Sequence, residues 1–445
     1  MKISIIGTGY VGLVTGICLA EKGHQVTCVD ADNEKVKQIN QGIPPIYEKG
    51  LEDLLKKNIS NRLKATTDLY RSVLDTEVTF IAVGTPFDGS QIDLTYIKEV
   101  SQQIGSALKD KSNYHLVIVK STVVPGTTDE VVLKILEKYS EKKAHSDFGV
   151  GMNPEFMTEG QAVSDFMNPD RIILGGIDER SINILEELYT AFDNTPKLRT
   201  NTKTAEMIKY VSNAMLAAQI SFANEMANLC SALGGVDIVD VMRGVHLSNY
   251  LSPKTGNGKR IQAPISSFIE PGCGFGGSCL PKDVRALIAH GEKAGFPMPL
   301  LRAVIDTNER QPNQIIKLLK KHFKSLKNIR ILILGLSFKP DTDDMRESPS
   351  IPIIKELLSH GAILKGFDPA ANGVARTIFN NDQLPLSTTL EDALSDVDAI
   401  VLITRWEQFK TVPTLLKKLN PNVVFVDGRR MLNKDEFILY EGIGL

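Results

Sequence analysis

Residues 2–30 read KISIIGTGYVGLVTGICLAEKGHQVTCVD, and the fold is decided there. Lys2 to Ile6 is a short apolar run that passes at once into Gly7-Thr-Gly9-Tyr-Val11-Gly12 and a helical stretch ending near Lys22. Gln25 to Val29 reads as a second buried strand, closed by Asp30. Strand, tight turn, helix and strand make a βαβ unit whose parallel strands are covered on both faces. Each glycine has its own task. Gly7 permits the tight turn, Gly9 lets backbone approach a pyrophosphate, and Gly12 permits close helix–strand packing. The helix N-terminus faces the anion, and Asp30, 18 residues beyond Gly12, is placed to accept hydrogen bonds from ribose hydroxyls. An acid at that position repels a 2′-phosphate, so the pattern favours NAD over NADP. A glycine triplet alone means little; its strand, its helix and its acid give it weight.

Further strands are expected at 78–83 (VTFIAV) and 116–120 (LVIVK), each ending in a Gly/Pro or Ser/Thr turn. Such a sheet carries its ligands at the carboxyl ends of its strands. Residues 201–233 change character: apolar residues recur at helical spacing through Met207, Ile208, Val211, Met215, Ile220, Met226 and Leu229, with no proline before Gly234-Gly235. A helix of that length, roughly 45 Å, is expected to be a central connector and a possible dimer contact. The α/β pattern then returns, with apolar runs at 329–334, 363–367, 398–403 and 422–426. The expected class is α/β: two Rossmann-like, doubly wound domains joined by a central helical domain. The expected divisions are 1–200 for NAD, 201–310 for the helical middle and 311–445 for a second ligand-binding α/β domain.

The chain has 445 residues, 42% hydrophobic and 23% charged, with a formal net charge of -2. That length asks for two or three domains. The charge balance gives no bulk attraction to nucleic acid or to a membrane surface. Gly7, Gly9, Gly12 and Gly16 interrupt the apolar start, which is expected to be strand and helix rather than a cleaved signal. With no apolar run of about 18 residues, no membrane span is expected, and the setting is expected to be cytoplasmic. The seven histidines show no ligand spacing, so no metal is expected. Cysteines stand at 18, 28, 230, 273 and 279, an odd and scattered set that argues for individual thiols rather than a disulfide framework.

One thiol stands apart. Cys279 sits in Phe275-Gly-Gly-Ser-Cys-Leu-Pro-Lys-Asp283, a glycine loop that becomes helical, with Pro281 suited to the first turn. A thiol at a helix N-terminus near Lys282 is set up as a nucleophile. Cys18, Cys28 and Cys230 read as buried fillers. On the long helix, Lys209 and Asn213 are four residues apart and share a face.

Taken together the chain resembles the UDP-glucose/GDP-mannose dehydrogenase family over nearly its whole length. The matching segments are Gly-Thr-Gly-Tyr-Val-Gly (7–12), Val83-Gly-Thr-Pro86, Lys120-Ser-Thr122, Asn153-Pro-Glu-Phe156, Asn168-Pro-Asp-Arg171, Glu206-Met-Ile-Lys-Tyr-Val-Ser-Asn213, Phe275-Gly-Gly-Ser-Cys279, Phe338-Lys-Pro-Asp341, Arg346-Glu-Ser348 and Asp427-Gly-Arg429. The resemblance implies oxidation of a hexose C6 alcohol in two NAD-dependent steps. Cys279 would attack the aldehyde of the first step, and the thiohemiacetal would be oxidised to a thioester that water hydrolyses to the uronate. It implies Lys209 as oxyanion stabiliser beside Asn213, Asp283 acting on water or the thiol, and Thr122 with Glu155 handling a water or protons. Which of these is the base in each half-reaction stays open. By the same resemblance Val11, Asp30, Lys35, Thr85, Thr122, Glu159, Lys282 and Arg346 match positions near NAD. Glu155, Phe156, Met157, Thr158 and Glu159, the loop from Phe268 and Ile269 through Gly272 to Gly276, Lys339 and Arg429 match positions around the nucleotide sugar. A homodimer is also implied.

Two stretches depart from the family pattern. Val245 to Ser267 is longer than usual, and within it Arg260 is the candidate for an arginine that reaches the sugar nucleotide. Cys273 stands where an aliphatic residue is common, either as an apolar filler or as a partner that could trap Cys279. UDP-glucose is the expected substrate, because the loop Phe275-Gly-Gly-Ser-Cys-Leu-Pro-Lys-Asp283 resembles that of the UDP-glucose group, and Ser278 in place of the histidine common in relatives acting on acetylated hexosamines disfavours those sugars. GDP-mannose or another UDP-hexose is the alternative. A non-catalytic sensor of the same ligands, or a one-step hydroxyacid dehydrogenase, would leave Cys279 without a task.

Overall fold

The computed structural model describes residues 1–59 and 61–445. The chain packs into two compact units, Met1–Ser212 and Asn213–Leu445. In the first unit the strands are β1 (Lys2–Ile6), β2 (Gln25–Val29), β3 (Leu63–Thr66), β4 (Val78–Ile81), β5 (His115–Val119), β6 (Phe148–Met152), β7 (Ile172–Gly176) and β8 (Lys197–Thr200). They form one eight-stranded sheet in the order β3-β2-β1-β4-β5-β6-β7-β8. β1 pairs with β2 from Lys2↔Gln25 to Ile6↔Val29, in parallel, as the apolar runs predict. Alternate residues serve alternate faces: Ile3 and Ile5 enter one buried cluster with Val26, Cys28 and Phe80, and Ile6 enters another with Val29, Ile81 and Val117. The strand order reverses between β1 and β4, where such sheets bind dinucleotides at the strands' carboxyl ends.

One junction departs from an all-parallel sheet. β7 runs antiparallel to β6, through Gly151↔Gly176 and Met152↔Gly175. The connection returns through a loop and the short helix Ala162–Met167 instead of crossing over. Glycines make the close approach possible: a Cβ on Gly175 would lie 2.9 Å from the Met152 carbonyl oxygen.

In the second unit five strands, β9 (Arg330–Leu334), β10 (Ile363–Phe367), β11 (Ala399–Leu402), β12 (Val424–Asp427) and β13 (Leu439–Gly442), lie parallel in the order β10-β9-β11-β12-β13. Ile331, Ile333, Val401 and Val426 face one core, with Ala223, Ala227 and Cys230 of the long helix packed into it. Leu332, Leu334, Ile400 and Phe425 face the other. The expected α/β class with two Rossmann-like sheets and a long helix is what the chain adopts.

The long helix is continuous over Thr202–Leu233, 32 residues, or about 48 Å. Among the described residues no helix is long and apolar enough to cross a membrane, and no His/Cys/Asp/Glu cluster could hold a metal ion.

Candidate active site

In the first unit the dinucleotide turn has the geometry its glycines suggest. Gly7 has φ +95°, a left-handed conformation that side chains resist. A Cβ on Gly12 would fall 1.9 Å from the Gly7 carbonyl oxygen, so only glycine lets the helix Tyr10–Glu21 start this close to the turn. Gly9, the N-cap of that helix, makes no side-chain capping bond, and a Cβ built there meets no atom within 4 Å. The first N–H groups of the helix thus open on space, as a pyrophosphate requires. Asp30 accepts from the Thr8 N–H at 2.9 Å, the Thr8 hydroxyl at 2.6 Å and the Asp32 N–H at 3.0 Å. Burial pushes its carboxyl up, but these donors and the Lys35 charge outweigh burial and hold it below the usual range. Asp30 therefore stays an anion, which suits ribose hydroxyls and opposes a 2′-phosphate. Thr85 Oγ1 donates to the Thr122 carbonyl at 2.8 Å, tying the turns after β4 and β5. These features fit NAD.

At the neighbouring strand ends lies a buried charged group. Lys209 Nζ is 2.9 Å from Glu155 Oε1, and the two side chains are 5% and 7% exposed. Glu155 Oε2 accepts the Met157 N–H at 2.7 Å. Burial raises the Glu155 carboxyl, but the charge and hydrogen bond of Lys209, the Met157 N–H and the charge of Lys120 together hold it below the usual carboxylate range. Phe156 lies under both Lys209 and Arg171. Thr158 is exposed, whereas Val11, Lys35, Thr122, Met157 and Glu159 are half-buried.

Three further residues act as holders in this unit: Glu48 lies in no matching segment, and Glu206 and Lys120 lie in matching segments that gave them no role. Glu48 is 6% exposed, bonds to Tyr10 Oη, and accepts from Gly160 N at 2.8 Å and Ala162 N at 3.1 Å, fixing the loop after Glu155. Glu206, fully buried, accepts from Gly126 N at 2.5 Å, Thr128 N at 2.8 Å and Thr128 Oγ1 at 2.7 Å. It anchors the turn beyond Thr122 one helical step from Lys209. Lys120 donates to Asn153 Oδ1 at 2.8 Å.

In the second unit Cys279 is an exposed thiol at the N-cap of the helix Leu280–Lys293, with Pro281 in the first turn. The other four cysteines are buried, and burial pushes the Cys18 and Cys28 thiols up to about 12. Cys273 packs in the core near Arg429 and Gly428. Asp283, 1% exposed and one turn beyond Cys279, accepts from Asn213 Nδ2 at 2.6 Å and pairs with Lys282 Nζ at 2.7 Å. The cysteine loop is pinned by amides: Asn224 accepts from Gly272 N at 2.8 Å, Gln311 donates to Gly272 O at 2.8 Å, and Asn308 accepts from Phe275 N at 2.7 Å. None of the three belongs to a recognised motif. The available signal was the polar series Asn213, Ser221, Asn224 and Asn228, at helical spacing in an apolar helix.

A cavity of about 260 Å³ in this unit is lined by Phe268, Gly276, Phe338, Lys339, Arg405 and Arg429, among others. Arg429 donates from Nε to Ile403 O at 2.6 Å and from Nη1 to Gly274 O at 2.9 Å, so it also braces the loop. Ile269 is 6% exposed and packs in the core instead of lining the cavity. Arg260 lines a different cavity, where its Nη1 bonds Ser252 O at 2.7 Å. Glu270 and Arg405, paired to each other, border both. Arg346 is exposed and pairs with Asp344 at 2.6 Å.

Family models match three stretches of the chain. They are the NAD binding domain of the UDP-glucose/GDP-mannose dehydrogenase family at residues 1–193, its central domain at 203–310 and its UDP binding domain at 332–434. A UDP-glucose 6-dehydrogenase of Haloferax volcanii is 39% identical over 448 residues, covering 100% of both chains. A GDP-mannose 6-dehydrogenase of Pseudomonas aeruginosa is 41% identical over 375 residues, covering 83% of this chain and 81% of that one. The solved structure of a UDP-glucose dehydrogenase from Pyrobaculum islandicum superimposes with a TM-score of 0.90 at 36% identity, over 100% of this chain and 97% of that one. With the dinucleotide turn, the exposed cysteine and this likeness in hand, the chain belongs to the UDP-glucose/GDP-mannose dehydrogenase family of NAD-dependent nucleotide-sugar dehydrogenases.

Proposed function

We propose that this enzyme oxidises UDP-glucose to UDP-glucuronate through a thioester on Cys279. The observation that carries the reading is the single exposed thiol at a helix N-cap, one turn before the buried, amide-bonded Asp283. Bound NAD supplies the hydride acceptor in both oxidations, held by the turn Gly7–Gly12, Asp30, Lys35, Thr85, Thr122 and Glu159, with Lys282 and Arg346 completing its surroundings. In the first half-reaction Glu155, an anion already, takes the alcohol proton directly or through a water held by Thr122. Lys209 stabilises the developing oxyanion. The Cys279 thiolate then adds to the aldehyde carbon, and the carbonyl oxygen takes a proton to give the thiohemiacetal. Loss of the second hydride and of the hydroxyl proton leaves the thioester. Water, oriented by Asp283 and Asn213, adds to it, and the carbon–sulfur bond breaks to release the carboxylate and the thiol.

Phe268, Gly272, Gly276, Lys339 and Arg429 hold the nucleotide diphosphate in this reading, with Phe156 to Glu159 and Asn213 near the sugar. Arg260 contributes only if its segment rearranges. We assign the chain three functional parts, 1–200 for NAD, 201–310 for chemistry and 311–445 for the nucleotide. Met215, Phe222 and Leu229, spaced by seven on one helix face and each about half exposed, support a homodimer through that face. The GDP-mannose relative supports a second reading in which GDP-mannose is the substrate.

Initial rates of NADH formation with UDP-glucose, GDP-mannose and UDP-N-acetylhexosamines separate the two readings. The proposal expects UDP-glucose to be preferred by at least tenfold in kcat/KM, and expects Cys279→Ser to abolish uronate formation. Preference for GDP-mannose would transfer the assignment to that sugar.

A further inference from the structure

We propose that Lys120 is a positioning residue for the Glu155–Lys209 pair, holding through Asn153 the chain that carries Glu155 and contributing the second positive charge that keeps Glu155 ionised. The inference rests on the reading above, in which Glu155 takes the substrate proton. Val119 and Met152 are in register at the ends of β5 and β6, so Lys120 and Asn153 are the next residues out on adjacent strands. The Asn153 N–H bonds Val119 O at 3.0 Å, and the Asn153 side chain is gripped from three sides. Lys120 Nζ donates to Oδ1 at 2.8 Å, Tyr189 Oη donates to the same oxygen at 2.6 Å, and Nδ2 donates to Ile173 O at 2.8 Å. Two residues beyond this clamp stands Glu155.

Lys120 is 4% exposed. For three N–H groups it has one shared amide oxygen and a ring, Phe166, 5.8 Å away. Burial accordingly pulls its ammonium down to about 7, with Lys209 pulling the same way and Glu155 opposing. A methionine would fill this space without the desolvation cost. What the amine adds is charge within reach of Glu155. The groups that face it are Glu155 from the loop after β6, Lys209 from the long helix, and Tyr189, whose phenol burial holds neutral. At the acid pH where Glu155 titrates, Lys120 carries its full charge. Removing that charge raises the Glu155 carboxyl and moves the acid limb of the rate profile upward.

The test is the pH dependence of kcat/KM for UDP-glucose in wild type, Lys120→Gln, Lys120→Met and Tyr189→Phe, with melting curves and NAD binding beside it. Lys120→Gln keeps a donor for Asn153 without the charge, and it reads the same shift should Lys120→Met not fold. The expected result is an acid limb moved to higher pH in the Lys120 variants, unchanged NAD affinity, and a wild-type limb in Tyr189→Phe. A folded Lys120→Gln with an unmoved limb overturns the proposal. So does an equal shift in Tyr189→Phe, which loosens Asn153 but leaves the charge. A wild type that turns over no nucleotide sugar sinks the proposed function itself, and this shows before any variant is made.

Discussion

Replacing Gly9 and Gly12 separately by alanine distinguishes a glycine required by the fold from one required by the cofactor. At Gly12 the new methyl would lie 1.9 Å from the Gly7 carbonyl oxygen and 3.0 Å from its carbon. Real Cβ atoms stay beyond 3.0 Å, so helix and turn must separate by more than 1 Å. Forced overpacking of that kind costs about 1–3 kcal/mol. It also displaces the backbone that would meet the pyrophosphate, so Gly12→Ala should lose both stability and NAD affinity. At Gly9 the methyl touches nothing within 4 Å, and the backbone, φ -68° and ψ -172°, is open to any residue. Gly9→Ala should therefore melt like wild type, within about 0.5 kcal/mol. Its methyl would occupy the space reserved for phosphate, and NAD affinity should fall at least tenfold, about 1.4 kcal/mol. Calorimetric titration with NAD and denaturant unfolding give the two numbers for each variant. Wild-type NAD affinity in Gly9→Ala would refute the placement of the pyrophosphate on this turn.

Native protein treated with iodoacetamide should take up one label, on Cys279, since it is the exposed thiol and the other four cysteines are buried; peptide mapping checks this. Asn213→Ala removes the amide donor to buried Asp283 and should destabilise by about 1–3 kcal/mol in denaturant unfolding, with loss of turnover. Asp30→Ala should weaken NAD binding roughly tenfold and narrow the preference over NADP, as competitive titrations would show. Lys120 has a folded value of about 7, below the value near 10.4 of an unfolded lysine. Between these the unfolded state binds more protons, so this group makes stability rise with pH across that window. Lys120→Met should remove that rise, and unfolding of both proteins across the window measures it.

The parts of the fold legible in the sequence were those where one periodicity ran uninterrupted. β1, β2, β10 and the long helix match their apolar runs, because little else competes for those residues. β6 and β7 escaped notice because they contain Gly149, Gly151, Gly175 and Gly176. Those glycines depress strand character, yet each admits a neighbour: a Cβ on Gly149 would lie 2.3 Å from Tyr114 Oη, and one on Gly176 2.6 Å from Ile182. β8, mostly polar at the sheet edge, has no apolar run to announce it. The helix N-cap position of Cys279 and the strand-end position of Asp30 were legible because the glycine turns and apolar runs that place them are their own neighbours. Glu48, Lys120, Asn224 and Gln311 act on backbone or amides far away in the chain, and nothing beside them predicts those partners.

The central claim is a four-electron oxidation through Cys279, and NADH counted at 340 nm against UDP-glucose consumed at completion tests it most directly. The account predicts two NADH per UDP-sugar, with UDP-glucuronate as product. One NADH per sugar, with an alcohol merely converted to a carbonyl, would contradict it and leave Cys279 without a chemical role.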